Sequence, residues 1–293
     1  MISFKKFIFL IITLLSTIFF LSCNKGKENL KTSNYIISEK APIKSTPKRI
    51  VSISPATSSI LFDLESGELL IGRTDFCSYP PEIEKIPSIG GINNANLEMI
   101  LSLKPDLVIT SSIFTKKMFE TVESANIPII SFKETNTIEG MYDIIEVLGK
   151  ILNKEKRAKQ IIDESKLKIE EIRIKKNKNK TPKVYYVIGY GPNGDFSAGR
   201  NTFIHEIITI AGGDNIAKNT LNWTYSREDI FSLQPDFIFI RKEDSAGFVN
   251  THPYTNLDAV RENKVFGIES ELMDLQTPRS IKAIEFISTI ISL

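Results

Sequence analysis

Residues 97–110 read LEMILSLKPDLVIT, and residues 227–240 read REDIFSLQPDFIFI. Six of the fourteen aligned positions are identical: Glu98/Glu228, Ile100/Ile230, Ser102/Ser232, Leu103/Leu233, Pro105/Pro235 and Asp106/Asp236. Each copy parses as a short helix feeding a strand. Asn96 and Ser226 are helix-capping types, an acid follows in the first turn, and the apolar residues keep to one face. The residue before a proline avoids the helical region, so Lys104 and Gln234 end the helices. The strands Leu107–Thr110 and Phe237–Ile240 follow as near-continuous apolar runs, as expected where a parallel sheet is covered on both faces. Two copies predict two lobes of similar build.

Working outward, the same alternation continues. Arg49–Ile53 is a β-rich run, and Ser54 or Thr57 can cap a helix carrying Ile60, Leu61 and Leu64. A helix around Phe114–Ala125, a strand Ile127–Ser131 and a helix Ile138–Leu152 complete the first lobe, residues 49–152. The second lobe, residues 181–293, offers the strand Val184–Ile188, the helix Thr202–Ala211, the repeated phrase, the strand Val265–Ile268 and a last helix from about Pro278. Between them, residues 153–180 are rich in Lys and Glu. An apolar stripe through Ala158, Ile161, Ile162, Ile169, Ile172 and Ile174 predicts one long helix there. The expected fold class is therefore α/β: two lobes, each a mostly parallel sheet flanked by helices, joined by one long helix.

The N-terminus reads differently. Met1–Lys6 carries two lysines, Phe7–Leu21 is an almost unbroken apolar run, and Ser22-Cys23 follows. The run is shorter than the ~20 residues of a spanning helix. It resembles a lipoprotein signal peptide over residues 1–22, with Cys23 as the lipidated residue, though Phe20 stands where the box usually has Leu; an uncleaved signal anchor and plain secretion are the alternatives. Residues 23–48, polar and Lys-rich, are expected to be a flexible tether from the lipid. Without Lys5 and Lys6 the chain has 35 basic and 35 acidic residues. That balance argues against a nucleic-acid surface. Cys77, left without a partner thiol, reads as a small buried hydrophobe.

RIVSISPATSSILFDL (49–64), IGRTDFCSYPPEIEKIPSIGG (71–91) and NLEMILSLKPDLVI (96–109) resemble the first lobe of the solute-binding proteins of ABC importers for iron–siderophore, haem and vitamin B12. SAGRNTFIHEIITIAGGDNIA (197–217), NWTYSREDIFSLQPDFIFI (222–240), LDAVRENKVFGIES (257–270) and TPRSIKAIEFI (277–287) resemble the second. The resemblance covers about residues 49–293. It implies a monomeric, extracytoplasmic binding protein, not an enzyme, that holds a metal chelate between its lobes and delivers it to a permease and its ATPase. No catalytic residue, resident metal or cofactor is implied. An acid on each lobe, here Glu98 and Glu228, would pair with permease arginines. Their local alternative is to complement the helix dipole.

Ligands of open α/β sheets sit beyond the carboxyl ends of the strands. The loops there are aromatic: Phe76 and Tyr79 in the first lobe, and Tyr190, Phe196, Trp223 and Tyr225 in the second. Such rings suit a flat macrocycle or a catecholate. The resemblance places Phe76 where cobalamin binders carry a stacking Tyr, and Trp223 on a ligand-contacting Trp. Arg200 and Arg279 are the second-lobe candidates for polar groups of the ligand. The tryptophans that cobalamin binders carry in the first lobe are missing from SIGGINNANLE and VITSSI.

Two signals are decoys. Gly189–Gly194 is formally G-x-G-x-x-G, but Pro192-Asn193 and DFSAGR intervene where a phosphate-binding helix should start. His205 and His252 lack metal-site spacing: His205 reads as an ordinary helical residue, while His252 or Tyr254 could face the cleft, on a haem, or simply belong to a loop. Two rival functions remain: a metalloenzyme on the same two-lobed scaffold, which predicts clustered cysteines, and a surface sensor or adhesin, which predicts loss of the two docking acids.

Overall fold

A computed structural model describes residues 34–111, 115–133, 135–175, 181–221 and 223–292. The expected signal peptide, Cys23 and the first part of the tether lie outside the described residues. In the first lobe β2 (Ile50–Ser52) leads into α1 (Pro55–Asp63), whose N-terminal N–H groups are capped by Ser54. After β3 (Leu70–Gly72) come α2 (Leu97–Ser102), β4 (Leu107–Ser111), α3 (Lys116–Ser124), β5 (Ile129–Phe132) and α4 (Ile138–Ile151). Strands β2 to β5 are parallel, in the order β5-β4-β2-β3. Ile50, Val51, Leu107, Val108, Ile109, Ile129 and Ile130 are fully buried, as a sheet covered on both faces requires.

One expectation is corrected. Residues 34–48 are not free tether: β1 (Tyr35–Ile37) adds to the sheet edge, antiparallel to β5, with Tyr35 opposite Phe132 and Ile37 opposite Ile130. The Tyr35 and Phe132 rings lie 6.0 Å apart, and Ser38 accepts from the Ile129 amide. The short YII run gains a ladder and aromatic packing on one side only, which is enough for an edge strand.

The second lobe repeats the plan. Strands β6 (Lys183–Val187), β8 (Asp214–Asn215), β10 (Phe237–Arg241) and β11 (Val265–Ile268) form a parallel sheet ordered β11-β10-β6-β8. A two-stranded ribbon, β7 (Asp195–Phe196) with β9 (Thr224–Tyr225), stands beside it. Its helices are α6 (Phe203–Ala211), α7 (Arg227–Leu233), α8 (Ser245–Val249), α9 (Asp258–Arg261), α10 (Ser270–Asp274) and α11 (Ser280–Ile291). Between the lobes in sequence runs α5 (Glu155–Lys175), 21 residues and so about 31 Å long. It packs on α4 of the first lobe and on α6 and α11 of the second. Its stripe is buried at Ala158, Ile161, Ile169 and Ile172, but Ile162 is only half-buried and Ile174, near the helix end, is exposed. No helix among the described residues is long and apolar enough to cross a membrane.

The duplicated phrase has a duplicated physical cause. Asn96 caps α2 through Met99 N at 3.0 Å, and Ser226 caps α7 through Asp229 N at 3.2 Å. Ile100 and Ile230 are fully buried. The residues before the prolines, Lys104 (φ 49°) and Gln234 (φ 44°), take left-handed conformations that turn the chain into the strand. Asp106 then accepts from the amides of Lys48 (2.8 Å) and Arg49 (2.9 Å), and Asp236 from that of Lys183 (2.8 Å). Arg49 returns a bond to Leu103 O at 2.6 Å, and Lys183 to Leu233 O at 2.8 Å. Each lobe thus ties a helix C-terminus to the start of the neighbouring strand through one acid and one base. Register makes Arg49 and Lys183 equivalent, because Ile50 faces Leu107 and Val184 faces Phe237.

Candidate ligand cleft

The C-terminal ends of the first sheet's strands open on a cavity of about 310 Å³ that both lobes line. From the first lobe come Ser54–Thr57 after β2, Ser111 at the end of β4, and Phe132 and Lys133 at the end of β5. The second lobe supplies Thr202–Ile204 at the start of α6, Trp223, and Met273–Gln276 at the end of α10 and just after it. Capping explains why so much backbone faces this space. Thr202 and Thr137 each accept from the amide three residues on, at 3.2 and 3.0 Å, so α6 and α4 begin beside the cavity as α1 does. Three helix N-termini bring partial positive charge to one place.

Polar bonds between the lobes surround the cavity. Asn136 Nδ2 donates to Asn201 O at 3.2 Å, and Gln276 Nε2 donates to Thr137 O. Glu206 of α6 accepts from the Ile138 amide at 2.6 Å, closing the N-terminus of α4. Partial burial raises the Glu206 carboxyl above its ordinary range, while the Ile138 N–H pulls the other way. A second bridge joins Ser78 to Glu271, and Arg279 Nη1 to the same carboxylate at 2.8 Å. The Arg279 guanidinium lies 3.4 Å from the centre of the Tyr79 ring. Partial burial pushes Glu271 up, but the bonds from Ser78 and Arg279 win and hold it below the usual carboxylate range.

Of the aromatic and basic residues expected at the ligand, only Trp223 lines this cavity, half exposed at 51%. Phe76, 63% exposed, stands beside Gly91, next to the cavity-lining Ile92. Tyr79 and Arg279 meet across the seam, in a separate pocket with Asp63, Arg157 and Lys282. The rest lie outside this cavity. Tyr225 is buried and donates to Ile216 O at 2.9 Å. Tyr190 packs edge-on against Phe248 and Tyr254. Phe196 sits in the ribbon, its ring against Gly189 and Gly194. Arg200 is exposed and bonded to Lys218 O (2.9 Å) and Asn219 Oδ1 (2.5 Å). These side chains found partners within their own lobe, which aromatic enrichment alone does not reveal.

Glu98 and Glu228 are both exposed in the first turns of α2 and α7. Glu228 is held below its ordinary range by its own backbone N–H and by the Ser226 hydroxyl. Sequence reasoning missed the polar lining: Asn136, Lys133, Gln276 and Asp274, the last paired with Arg241 at 2.6 Å. They arrive from separate loops and carry no common spacing. The glycine decoy is a closed loop: Gly191 N donates to the Tyr254 hydroxyl at 3.0 Å, Gly191 O accepts from Arg227 at 2.7 Å, and β7 follows it rather than a helix.

Comparison with known proteins fits this architecture. The family model described as periplasmic binding protein matches residues 50–272. The chain therefore belongs to the periplasmic binding protein family; it is a solute-binding protein of the ABC importer type, and its work is capture rather than catalysis. It is 28% identical over 250 residues to the uncharacterised ABC transporter substrate-binding lipoprotein YvrC of Bacillus subtilis, covering 83% of this chain and 79% of that one. A vitamin B12-binding protein of Vibrio campbellii is 26% identical over 85% of this chain and 91% of its own. The fold matches the periplasmic heme-binding protein RhuT from Roseiflexus sp. RS-1 with a TM-score of 0.74, at 23% identity over 83% of this chain and 97% of that one.

Proposed function

We propose that this chain captures a metal chelate of the iron–siderophore, haem or cobalamin type between its lobes and hands it to a membrane permease driven by an ATPase. The observation that carries the reading is the cavity at the strand ends, lined by both lobes and walled by the one tryptophan of the chain. The names of the relatives, a vitamin B12 binder and a haem binder among them, support the same ligand class. The Ser22-Cys23 pattern after an apolar run, and a relative named as a lipoprotein, support an extracytoplasmic protein held to the membrane by a lipid on Cys23.

Glu98 and Glu228 are the proposed docking acids. The other repeated residues have work inside the lobe: Ile100 and Ile230 fill the core, and the prolines and aspartates join helix to strand. The two glutamates are exposed and gain about 0.3–1 kcal/mol from the helix dipole, to which Glu228 adds local bonds from the Ser226 hydroxyl at 3.0 Å and its own backbone N–H. One exposed acid per lobe lets a permease read the distance between lobes. Titration of Trp223 fluorescence with cobalamin, haemin and ferric siderophores tests the capture; no response to any of them counts against it. Charge reversal at both glutamates is expected to abolish uptake in cells with ligand affinity unchanged, and normal uptake would remove the docking role.

A further inference from the structure

Chelates of this class fall into two kinds. Haem offers open axial positions, and its protein sites fill them with His, Tyr, Cys or Met. Corrinoids with both axial positions filled and hexadentate siderophores present a metal with no room for a protein ligand. The placement of every such side chain in the lobes decides which kind this cleft suits.

Two histidines are present. His205 is half-buried within α6, its Nδ1 3.2 Å from the Asn215 side-chain amide, and burial lowers its pKa. His252 lies on an exposed loop and does not line the cavity. Of the tyrosines, Tyr185, Tyr190, Tyr225 and Tyr254 belong to the second lobe's inner packing. Tyr186 is fully buried with its hydroxyl 3.4 Å from Asp274, and Tyr79 is stacked beneath Arg279. Tyr35 and Tyr142 pack in the first lobe. Cys77 is buried, its sulfur 3.3 Å from the Ser58 and Thr74 hydroxyls. Met273 forms part of the wall but is fully buried, and Met99, Met118 and Met141 pack in the first lobe. Residues 112–114, 134, 176–180 and 222, outside the description, contain no His, Tyr, Cys or Met.

What does face the cavity is of another character. Lys133, the N-termini of α1 and α6, and the Asn136 and Gln276 amides suit electron-rich groups, and Trp223, Ile92 and Leu275 suit an apolar face. We infer that the cleft recognises its chelate through the organic periphery alone, makes no bond to the metal, and takes chelates whose metal is already fully coordinated. This rests on the function proposed above.

The test uses the mature chain with four probes: a dicyano-corrinoid, an aquo-corrinoid, haemin and a ferric trihydroxamate. Binding is followed by calorimetry and by the visible spectrum of each probe. A saturated chelate, corrinoid or trihydroxamate, is expected to bind at least about tenfold more tightly than haemin. Neither the aquo-corrinoid bands nor the haemin Soret band should shift to a protein-ligated form, and His252→Ala and Tyr79→Phe should leave the spectra unchanged. A Soret or corrin shift that one of these substitutions, or His205→Ala, removes overturns the inference while leaving chelate capture standing. Failure of all four probes to bind overturns both.

Discussion

Trp223→Ala isolates the contribution of the cavity wall. Trp223 keeps 51% of its surface exposed, and a Trp side chain buries about 150–250 Å² in full, so about 100 Å² is left for a ligand to cover. At about 25 cal/mol per Å² that area corresponds to about 2.5 kcal/mol, or about 70-fold in Kd. Because the substitution removes the only tryptophan, the assay is calorimetric titration with the chelate that the wild-type chain binds best. Trp223→Phe should recover most of the loss. Thermal stability should fall by no more than the covered half of the ring contributes, also about 2.5 kcal/mol, since only that half packs in the free protein. A Kd within about threefold of wild type would show that the ligand does not cover this ring. A larger fall in Tm would show that it is structural packing instead.

Asp63 gives a stability prediction. Burial, opposed by Arg279, Arg157 and Lys282, pushes its carboxyl up from 3.8 to about 6. A raised acid favours the neutral form in the folded state. Its stabilisation is therefore complete below pH 3.8 and is lost as the pH rises through about 6. Asp63→Asn should be neutral near pH 4 and stabilise by at most about 3 kcal/mol above pH 7, discounted for the solvent that reaches the group. Urea titrations at the two pH values check this, and a gain independent of pH would refute it. Small-angle scattering with and without chelate should show only a minor change in size, because α5 packs on helices of both lobes; a contraction of several ångströms would refute the stiff joint.

The periodic parts of the fold were legible in sequence. The strand Val265–Ile268 and the helix starting at Ile138 lie where the apolar spacing puts them, because a parallel sheet and its covering helices each impose their own period. Edge strand β1 was not legible: Tyr35–Ile37 is three residues in a Lys-rich stretch, and its partner β5 lies over ninety residues away. The site was less legible than the fold. Trp223 and Tyr225 are two residues apart with similar chemistry, yet one lines the cavity and the other is buried under Ile216. Which of them faces a ligand depends on how β9 pairs with β7, and that pairing spans thirty residues.

The acid–base ties at Asp106 with Arg49 and at Asp236 with Lys183 have a practical consequence. Nature has built the same joint twice in one polypeptide, so each serves as an internal control for the other. Damage to one joint, compared with identical damage to its twin, separates what a lobe needs merely to hold together from what the protein needs to work as a pair.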